Sequence, residues 1–151
     1  MIWRSIALAG YAIGFMKLFR RAQPDIPSAP DGTPGFFAAL AIIAPLAGSQ
    51  TYRFTTPDGE CRGVVQFCHC PAGMVTIHRL WTPSPGQGHG STMLIQLCNL
   101  ADRHGVPILL KALPFGKKPY PMSREQLADW YRRHGFDGTH KRLLRTPRRL
   151  I

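Results

Sequence analysis

Three alternating glycines near the middle of the chain, Gly86, Gly88 and Gly90, precede a run of residues with helical periodicity. Glycine has no Cβ, so it adopts positive φ readily and lets a ligand approach the main chain closely. Ser91 is a good N-cap residue, and a helix after it would direct unpaired N–H groups and the positive end of its dipole toward the turn. The stretch predicts a cradle for an anion, most often a phosphate. The alternative is a flexible hairpin or linker.

The elements on either side of the turn would hold it in place. Residues 74–81 predict a β-strand that enters the turn. The helix after the turn has apolar residues at helical spacing, at Leu94, Leu97, Cys98 and Ala101. Gly105 would end that helix, and the apolar run 108–113 predicts a buried strand parallel to the first. Strand, loop, helix and strand in this order form a crossover unit that binds its ligand at the carboxyl end of the first strand.

Two known phosphate loops do not fit the turn. The dinucleotide fingerprint needs a third glycine where Ser91 stands, and the nucleotide P-loop needs a Gly-Lys-Ser/Thr that is absent. Residues 85–91, Pro-Gly-Gln-Gly-His-Gly-Ser, instead resemble the acyl-CoA loop of the GNAT acyltransferase superfamily, Arg/Gln-x-x-Gly-x-Gly/Ala followed by a helix. Pro85 fills the Arg/Gln position. This departure removes one side-chain contact to the pyrophosphate and leaves the backbone cradle.

A second stretch strengthens the resemblance. Residues 130–136, Trp-Tyr-Arg-Arg-His-Gly-Phe, are similar to the family signature in which a helix ends aromatic-Tyr-x-x-x-Gly-Phe. The resemblance covers about residues 51–145 and is closest to very short members, including some encoded by phages. It implies an α/β fold with a mixed α+β sheet, in which an antiparallel meander leads into the crossover unit, with helices on both faces. It also implies an N-acetyltransferase that uses acetyl-CoA to modify a primary amine.

The resemblance assigns cofactor contacts residue by residue. The pantetheine arm would lie along the end of the strand before the loop in the manner of an added strand, and the pyrophosphate would meet the loop. The residues expected to bind the cofactor are Leu80, Trp81, Thr82, Gly86, Gln87, Gly88, His89, Gly90, Ser91 and Thr92. For His89 two readings stay open: contact with phosphate when protonated, or a turn residue that faces solvent.

Two residues are candidates for proton transfer. In the family the acid that protonates the leaving CoA thiolate is commonly a tyrosine at the position of Tyr131, and a phenol with a pKa of about 10 is protonated at neutral pH. The attacking amine must lose a proton, and the glutamate that many members carry on the preceding strand is absent from residues 74–81. His78 is the nearest candidate base, directly or through water. Each also has a purely structural reading, as a packed aromatic and a strand histidine.

The charge of the chain predicts an anionic partner. Its 151 residues include 19 Lys and Arg against 8 Asp and Glu, a formal net charge of +11. CoA, nucleic acid, an anionic membrane and an acidic protein all meet this requirement. The alternative function is therefore a GNAT-like module without catalysis that binds nucleic acid or an acidic protein.

The four cysteines, Cys61, Cys68, Cys70 and Cys98, show no C-x-x-C spacing and fall in apparent strands and a helix. We interpret them as reduced thiols of a cytoplasmic protein. Cys68, His69 and Cys70 suggest zinc, but alternate strand residues point to opposite faces, so no metal is expected.

Three segments are predicted along the chain. Residues 1–21 are apolar with basic flanks, too short to span a membrane comfortably, and form either a helix packed on the domain or an interfacial helix at a membrane. A signal peptide is disfavoured by the basic residues at the cleavage region. Residues 22–50 contain a Pro/Gly linker to residue 35 and a short helix over 36–47. Residues 51–151 form the acyltransferase-like domain.

Within that domain, local signals define the remaining elements. Residues 52–55 and 62–70 predict a hairpin around a Pro-Asp-Gly turn. Ser123 and Gln126 form a capping box that begins a helix ending at Gly135, and residues 136–144 offer one or two short strands. The basic residues Lys117 and Lys118 and the late arginines are either a solvated surface or contacts to the 3′-phosphate of CoA.

Overall fold

A computed structural model describes residues 32–68, 73–114, 118 and 122–149. Within these residues seven strands form one sheet in the order β1-β2-β3-β4-β5-β7-β6. The strands are β1 (Leu46–Gly48), β2 (Thr51–Thr55), β3 (Cys61–Cys68), β4 (Val75–Trp81), β5 (Ile108–Leu110), β6 (Asp137–Thr139) and β7 (Arg142–Arg145). The helices are α1 (Thr33–Ile43), α2 (His89–His104) and α3 (Arg124–Arg133). The predicted α/β fold with a mixed sheet is confirmed.

The predicted strand connectivity is also confirmed. Strands β1 to β4 are antiparallel neighbours, which is the expected meander. Helix α2 then carries the chain to β5, which pairs parallel to β4. Strand β5 is shorter than the predicted 108–113. Of the one or two short strands predicted after α3, two are present, with β7 between β5 and β6.

The structure corrects the prediction for residues 33–48. Helix α1 begins at Thr33, inside the predicted linker, because Pro34 lies in the first turn, where its missing N–H would have no helical acceptor. The helix ends at Ile43 rather than at residue 47. Ala44 precedes Pro45 and is extended, as the proline ring demands of its neighbour, and the chain continues as β1.

One face of the sheet carries the hydrophobic core. Val65, Ile108 and Leu143 are fully buried on that face, and all three helices contribute to the same cluster, α1 through Phe36. On the opposite face Leu109 is 1% exposed. The helix predicted for residues 1–21 lies outside the described residues. That a helix also covers the second face of the sheet therefore stays a prediction.

A buried ion pair joins the elements around the end of the chain. Arg145 on β7 donates to both oxygens of Asp102 on α2, at 2.7 and 3.0 Å, and its Nε donates to the carbonyl of His134 just after α3 at 3.1 Å. The backbone N–H of Arg148 donates to the same carboxylate at 2.8 Å. Burial raises the pKa of Asp102, but the hydrogen bonds from Arg145 and Arg148 outweigh it, so the pKa lies below 3.8.

Cys61 and Cys98 are free thiols. Burial raises the pKa of the Cys98 thiol to about 11, so it is protonated and unreactive at neutral pH. Cys70 and His69 lie outside the described residues.

Across the described ranges, none of the helices combines the length and hydrophobicity that crossing a bilayer requires.

The buried ion pair between Arg145 and Asp102 predicts that changing one side chain strongly lowers the free energy of unfolding. Asp102→Asn leaves the Arg145 guanidinium buried without a counter-charge, and we expect the free energy of unfolding to fall by about 3 kcal/mol in urea titrations at pH 7. The wild-type contribution is present above the ordinary carboxyl pKa of 3.8 and disappears as the pH falls through the lower folded value.

The control is Asp129→Asn, which removes an exposed partner of Arg132 on α3. This change should cost less than about 1 kcal/mol, as exposed pairs do. Equal losses for the two variants would show that the Asp102 pair does not hold the fold together.

Candidate functional site

Strands β4 and β5 diverge after a short parallel pairing. Residues Val75 to Ile77 pair with Ile108 to Leu110, and β5 ends there. Strand β4 continues to Trp81 alongside β3 on its other edge. A gap therefore opens in the sheet beside residues 78–81.

A β-bulge lies at the point of divergence. Ile77 pairs with Phe67 and Arg79 pairs with Gln66, so His78 is an extra residue on β4 with no pairing partner on β3. A bulge bends its strand and increases the local twist. The bulge at His78 therefore accounts for the departure of β4 from β5.

The gap leads into a cleft of about 1010 Å³. The structure brings together on its walls most of the residues singled out from the sequence: His78, Leu80, Trp81, Thr82, Gly86, Gly88, His89, Gly90, Ser91 and Tyr131. Gln87 and Thr92 do not line it. The cleft thus connects β4, the glycine turn, the start of α2 and the inner side of α3.

The helix after the turn begins three residues earlier than the Ser91 N-cap prediction requires. Gly88 is the N-cap, in the left-handed conformation with φ 78°, and α2 starts at His89. Ser91 lies in the first turn of the helix, and its Oγ accepts a hydrogen bond from the Trp130 indole at 3.3 Å. The prediction was wrong because the glycine turn itself can end in the left-handed region and leave Ser91 to bridge α2 and α3.

The turn exposes a group of backbone donors. The N–H groups of residues 89–91 precede the first helical hydrogen bond, from Thr92 to the carbonyl of Gly88 at 3.1 Å. For residues 86–88, no backbone N–H has an acceptor among the described residues. A Cβ added at Gly86 or Gly88 would meet no atom within 4 Å, so the space outside the turn is open. An open turn at the positive end of a helix dipole is suited to a phosphate.

The loop also has an arginine that the sequence did not predict. Arg62 at the start of β3 places Nη1 3.4 Å from His89 Nδ1, while His89 Nε2 lies 3.3 Å from Gln87 Oε1. In this arrangement Nε2–H donates to Gln87 and Nδ1 accepts from Arg62. His89 is therefore held by its neighbours, and a guanidinium stands beside the turn. The sequence signal that could have prompted a search for Arg62 is Pro85, which fills the Arg/Gln position of the loop pattern without a polar side chain.

The surroundings of Tyr131 are consistent with both roles considered for it, a proton donor and a packed aromatic residue. Its ring packs against Trp130 and Phe136, with centroids 4.8 and 5.6 Å apart, and the residue is 5% exposed. It also lines the cleft, and within the described part of the chain its hydroxyl has no hydrogen-bond partner. Burial raises the pKa of this phenol well above its ordinary 10, so it stays protonated. Tyr131 is therefore a protonated phenol on the wall of the cleft.

His78 has the opposite electrostatic character. Partial burial, and then the adjacent Arg79 guanidinium, lower its pKa below 6.5, so the imidazole is neutral at pH 7 and able to accept a proton. No Asp or Glu is among the described residues of the cleft wall. Among the described residues of the cleft wall, His78 is therefore the candidate base at the bulge.

Several residues of the cleft wall were not predicted as site residues. Arg79, Met93, Lys111, Leu113, Met122, Leu127 and Trp130 all line it. Trp130 belongs to the aromatic signature. Its ring lies over Gly90 at the start of α2, 3.7 Å from the position that a Cβ would take there. The described residues contain no group of three or more His, Cys, Asp or Glu side chains that could hold a metal ion.

Comparison with known proteins finds similarity to solved structures. No protein-family model matches the chain. No curated protein matches it in sequence. The anti-CRISPR protein AcrVA5 is 21% identical, with 64% of this chain and 98% of that chain covered at a TM-score of 0.48. YhbS from Escherichia coli, a GNAT family N-acetyltransferase solved in complex with CoA, is 14% identical over 76% of this chain and 67% of its own, at 0.45.

A third similar structure is a tandem GNAT protein from the clavulanic acid biosynthesis pathway. It is 14% identical, and the match covers 57% of this chain and 27% of that protein at a TM-score of 0.41. Solved structures similar to this chain thus include GNAT proteins. At these identities and TM-scores the likeness assigns no activity to this chain.

The electrostatics of the cleft make a prediction for His78 that needs no substrate. Its imidazole should titrate below pH 6.5, and Arg79→Gln should move the midpoint upward, because the guanidinium disfavours the imidazolium. Imidazole NMR signals followed against pH, with His78→Gln to assign the resonance, measure the midpoint. Arg53→Gln, an exposed arginine on β2 outside the cleft wall, should leave it unchanged. A midpoint that ignores Arg79 would contradict the assigned cause.

Proposed function

We propose that the chain is an acyl-CoA-dependent N-acyltransferase that transfers an acetyl group from acetyl-CoA to a primary amine. The observation that carries the proposal is that one cleft is lined by the glycine turn, by the end of β4 beyond its pairing with β5, and by Tyr131. The resemblance of the loop and of the aromatic signature to the GNAT pattern supports the same activity.

The cleft accommodates an elongated anionic thioester in one orientation. The pyrophosphate would accept hydrogen bonds from the N–H groups between residues 86 and 91, with Arg62 supplying the charge that Pro85 lacks. The amides of the pantetheine arm would pair with β4 at residues 80–82, where β5 no longer accompanies it. The acyl end would then lie near His78 and Tyr131, where the strands part.

The side chains present can manage the protons of the reaction. The neutral amine attacks the thioester carbonyl, so that a C–N bond forms and the C–S bond breaks. Tyr131 would donate its proton to the departing sulfur, and His78 would take the proton that the amine must lose, directly or through water. The raised pKa of the phenol and the lowered pKa of the imidazole each favour the protonation state that this exchange starts from.

A second function, a GNAT-like module that binds nucleic acid or an acidic protein without catalysis, has three features in its favour. These are Pro85 in the loop, the lack of a carboxylate on β4, and the net charge of +11. DNA binding that falls steeply with salt, together with the absence of thioester turnover, would favour this alternative.

Cofactor binding is the first test. Calorimetry should show acetyl-CoA binding to the wild-type protein, and Arg62→Gln should weaken it about threefold to tenfold, because one charge-assisted contact near the loop is removed. Arg53→Gln on β2 removes an equal charge away from the loop and should leave the affinity unchanged. Absence of both binding heat and a thermal shift in the wild type would reject the proposed function.

The role of Tyr131 is tested by a change that keeps its ring. Tyr131→Phe should lower kcat by about a hundredfold or more, with little effect on the KM for acetyl-CoA, because only the proton donor is lost. Thiol release measures the rate. Tyr52→Phe is the control, since Tyr52 is a buried tyrosine packed on Phe37 and Phe67 away from the cleft. Similar rates for the two variants would show that the Tyr131 phenol is not the acid.

A further inference from the structure

The exposure of β4 changes at the bulge. Its first three residues, which pair with β5, are buried. Beyond them His78 and Arg79 are exposed, Leu80 is partly buried, and Trp81 is exposed again. The sheet is therefore accessible to a second molecule beside residues 78–81, where β5 no longer accompanies the strand.

Trp81, the last residue of β4, belongs to the face of the sheet opposite the helices. It pairs with Val64, whereas Leu80 pairs with Val65. Residues opposite each other in an antiparallel pair share a face, and neighbours along a strand alternate. Val65 is in the core, and Leu80 packs against the core. Since Leu80 and Trp81 both line the cleft, its walls come from both faces of the sheet.

Two half-exposed apolar side chains line the cleft on either side of the gap. Trp81 ends β4 and is 42% exposed, and Leu113 follows β5 and is 49% exposed. Within the described ranges the Trp81 indole contacts no other aromatic ring and makes no hydrogen bond. Removing apolar surface from water is favourable, and an indole is a large flat surface of this kind. The wall of the cleft thus offers a binding surface for an apolar group.

The proposed position of acetyl-CoA leaves this indole to the acceptor. Helix α2 and the turn before it lie on the face that carries the core, and the main chain of residues 80–82 would pair with the pantetheine arm. The Trp81 side chain leaves the strand on the other face. Three residues of a strand span about 10 Å. An amine at His78 that carries a ring on a two-carbon link therefore places the ring within reach of the indole.

We propose that the acceptor is a small primary amine that carries an aromatic ring, and that this ring packs against Trp81 and Leu113 while the amine lies at His78. This inference rests on the proposed acetyltransferase function and adds the class of the acceptor. An aromatic pair gains more than the burial of its surface alone, which favours a ring over an alkyl group on the indole. Leu113 supplies an apolar contact from the other side of the gap.

The acidic residues of the chain agree with an acceptor of this class. No Asp or Glu is among the described residues that line the cleft, so a second ammonium group on the acceptor would find no carboxylate there. A ring needs no charged partner, because its contacts with Trp81 and Leu113 supply the binding energy.

A matched set of amines tests the acceptor class with the full chain and saturating acetyl-CoA. The set is propylamine, 2-phenylethylamine, 2-cyclohexylethylamine and 1,3-diaminopropane, and rates of thiol release are expressed for the neutral form of the reacting amine. We expect kcat/KM for 2-phenylethylamine to exceed that for propylamine by about tenfold or more, and that for 2-cyclohexylethylamine by about threefold. Diaminopropane should be the poorest of the four.

Side-chain changes identify the residues responsible. Trp81→Ala should reduce the preference for 2-phenylethylamine over propylamine to about twofold, mainly through the acceptor KM, and Trp81→Phe should restore most of it because a ring is present again. Leu113→Ala should lower the preference by a smaller factor. Ile95→Ala is the control and should keep the wild-type preference, because Ile95 is 48% exposed on α2 and lies outside the cleft wall.

Four outcomes would overturn the acceptor class. They are propylamine or diaminopropane used as well as 2-phenylethylamine, the cyclohexyl amine used as well as the phenyl amine, a preference that Trp81→Ala leaves unchanged, and acetyl-CoA binding with turnover of none of the four amines. Failure of the wild type to bind acetyl-CoA in calorimetry is a different result. It would reject the proposed function itself and the acceptor class with it.

Discussion

The parallel pairing of β4 with β5 lasts only three residues, and the rest of the site depends on this limit. Had the two strands stayed together, their edges would have satisfied each other and closed the sheet. The bulge at His78 instead turns β4 away. Its last residues then run past the end of β5 into the glycine turn, so that a strand edge, the start of α2 and Tyr131 line one cleft. The chemistry proposed for the chain follows from that shared cleft.

Two tertiary contacts keep the walls of the cleft in register. At one end the Trp130 indole donates to Ser91, which joins α3 to the first turn of α2. At the other end Arg145 joins β7 to Asp102 on α2 and to the carbonyl of His134 after α3. The C-terminal part of α3, which carries Tyr131, is therefore joined directly to the first turn of α2 and, through Arg145, to its last turn.

Local sequence signals predicted most of the fold. The capping box at Ser123 is present in both directions, and Gly105 ends α2 in the left-handed conformation. The predictions that were wrong concern residues that fit more than one local structural role. Pro34 is typical of a linker but fits the first turn of α1, and Ser91 is typical of an N-cap but bridges α2 to Trp130.

The glycine turn and Tyr131 were identifiable because each belongs to a short contiguous pattern. Arg62, Arg79 and Lys111 were not, because their relation to the cleft depends on strand register across the sheet and on the bulge at His78, and neither is encoded in any local stretch.

The most direct test of the central claim is a crystal structure of the protein with CoA. The account predicts that pyrophosphate oxygens lie about 3 Å from main-chain nitrogens between residues 86 and 91, and that the sulfur lies beside the Tyr131 hydroxyl in the gap between β4 and β5. CoA bound at another surface, or bound in the cleft with its sulfur directed away from Tyr131, would contradict it.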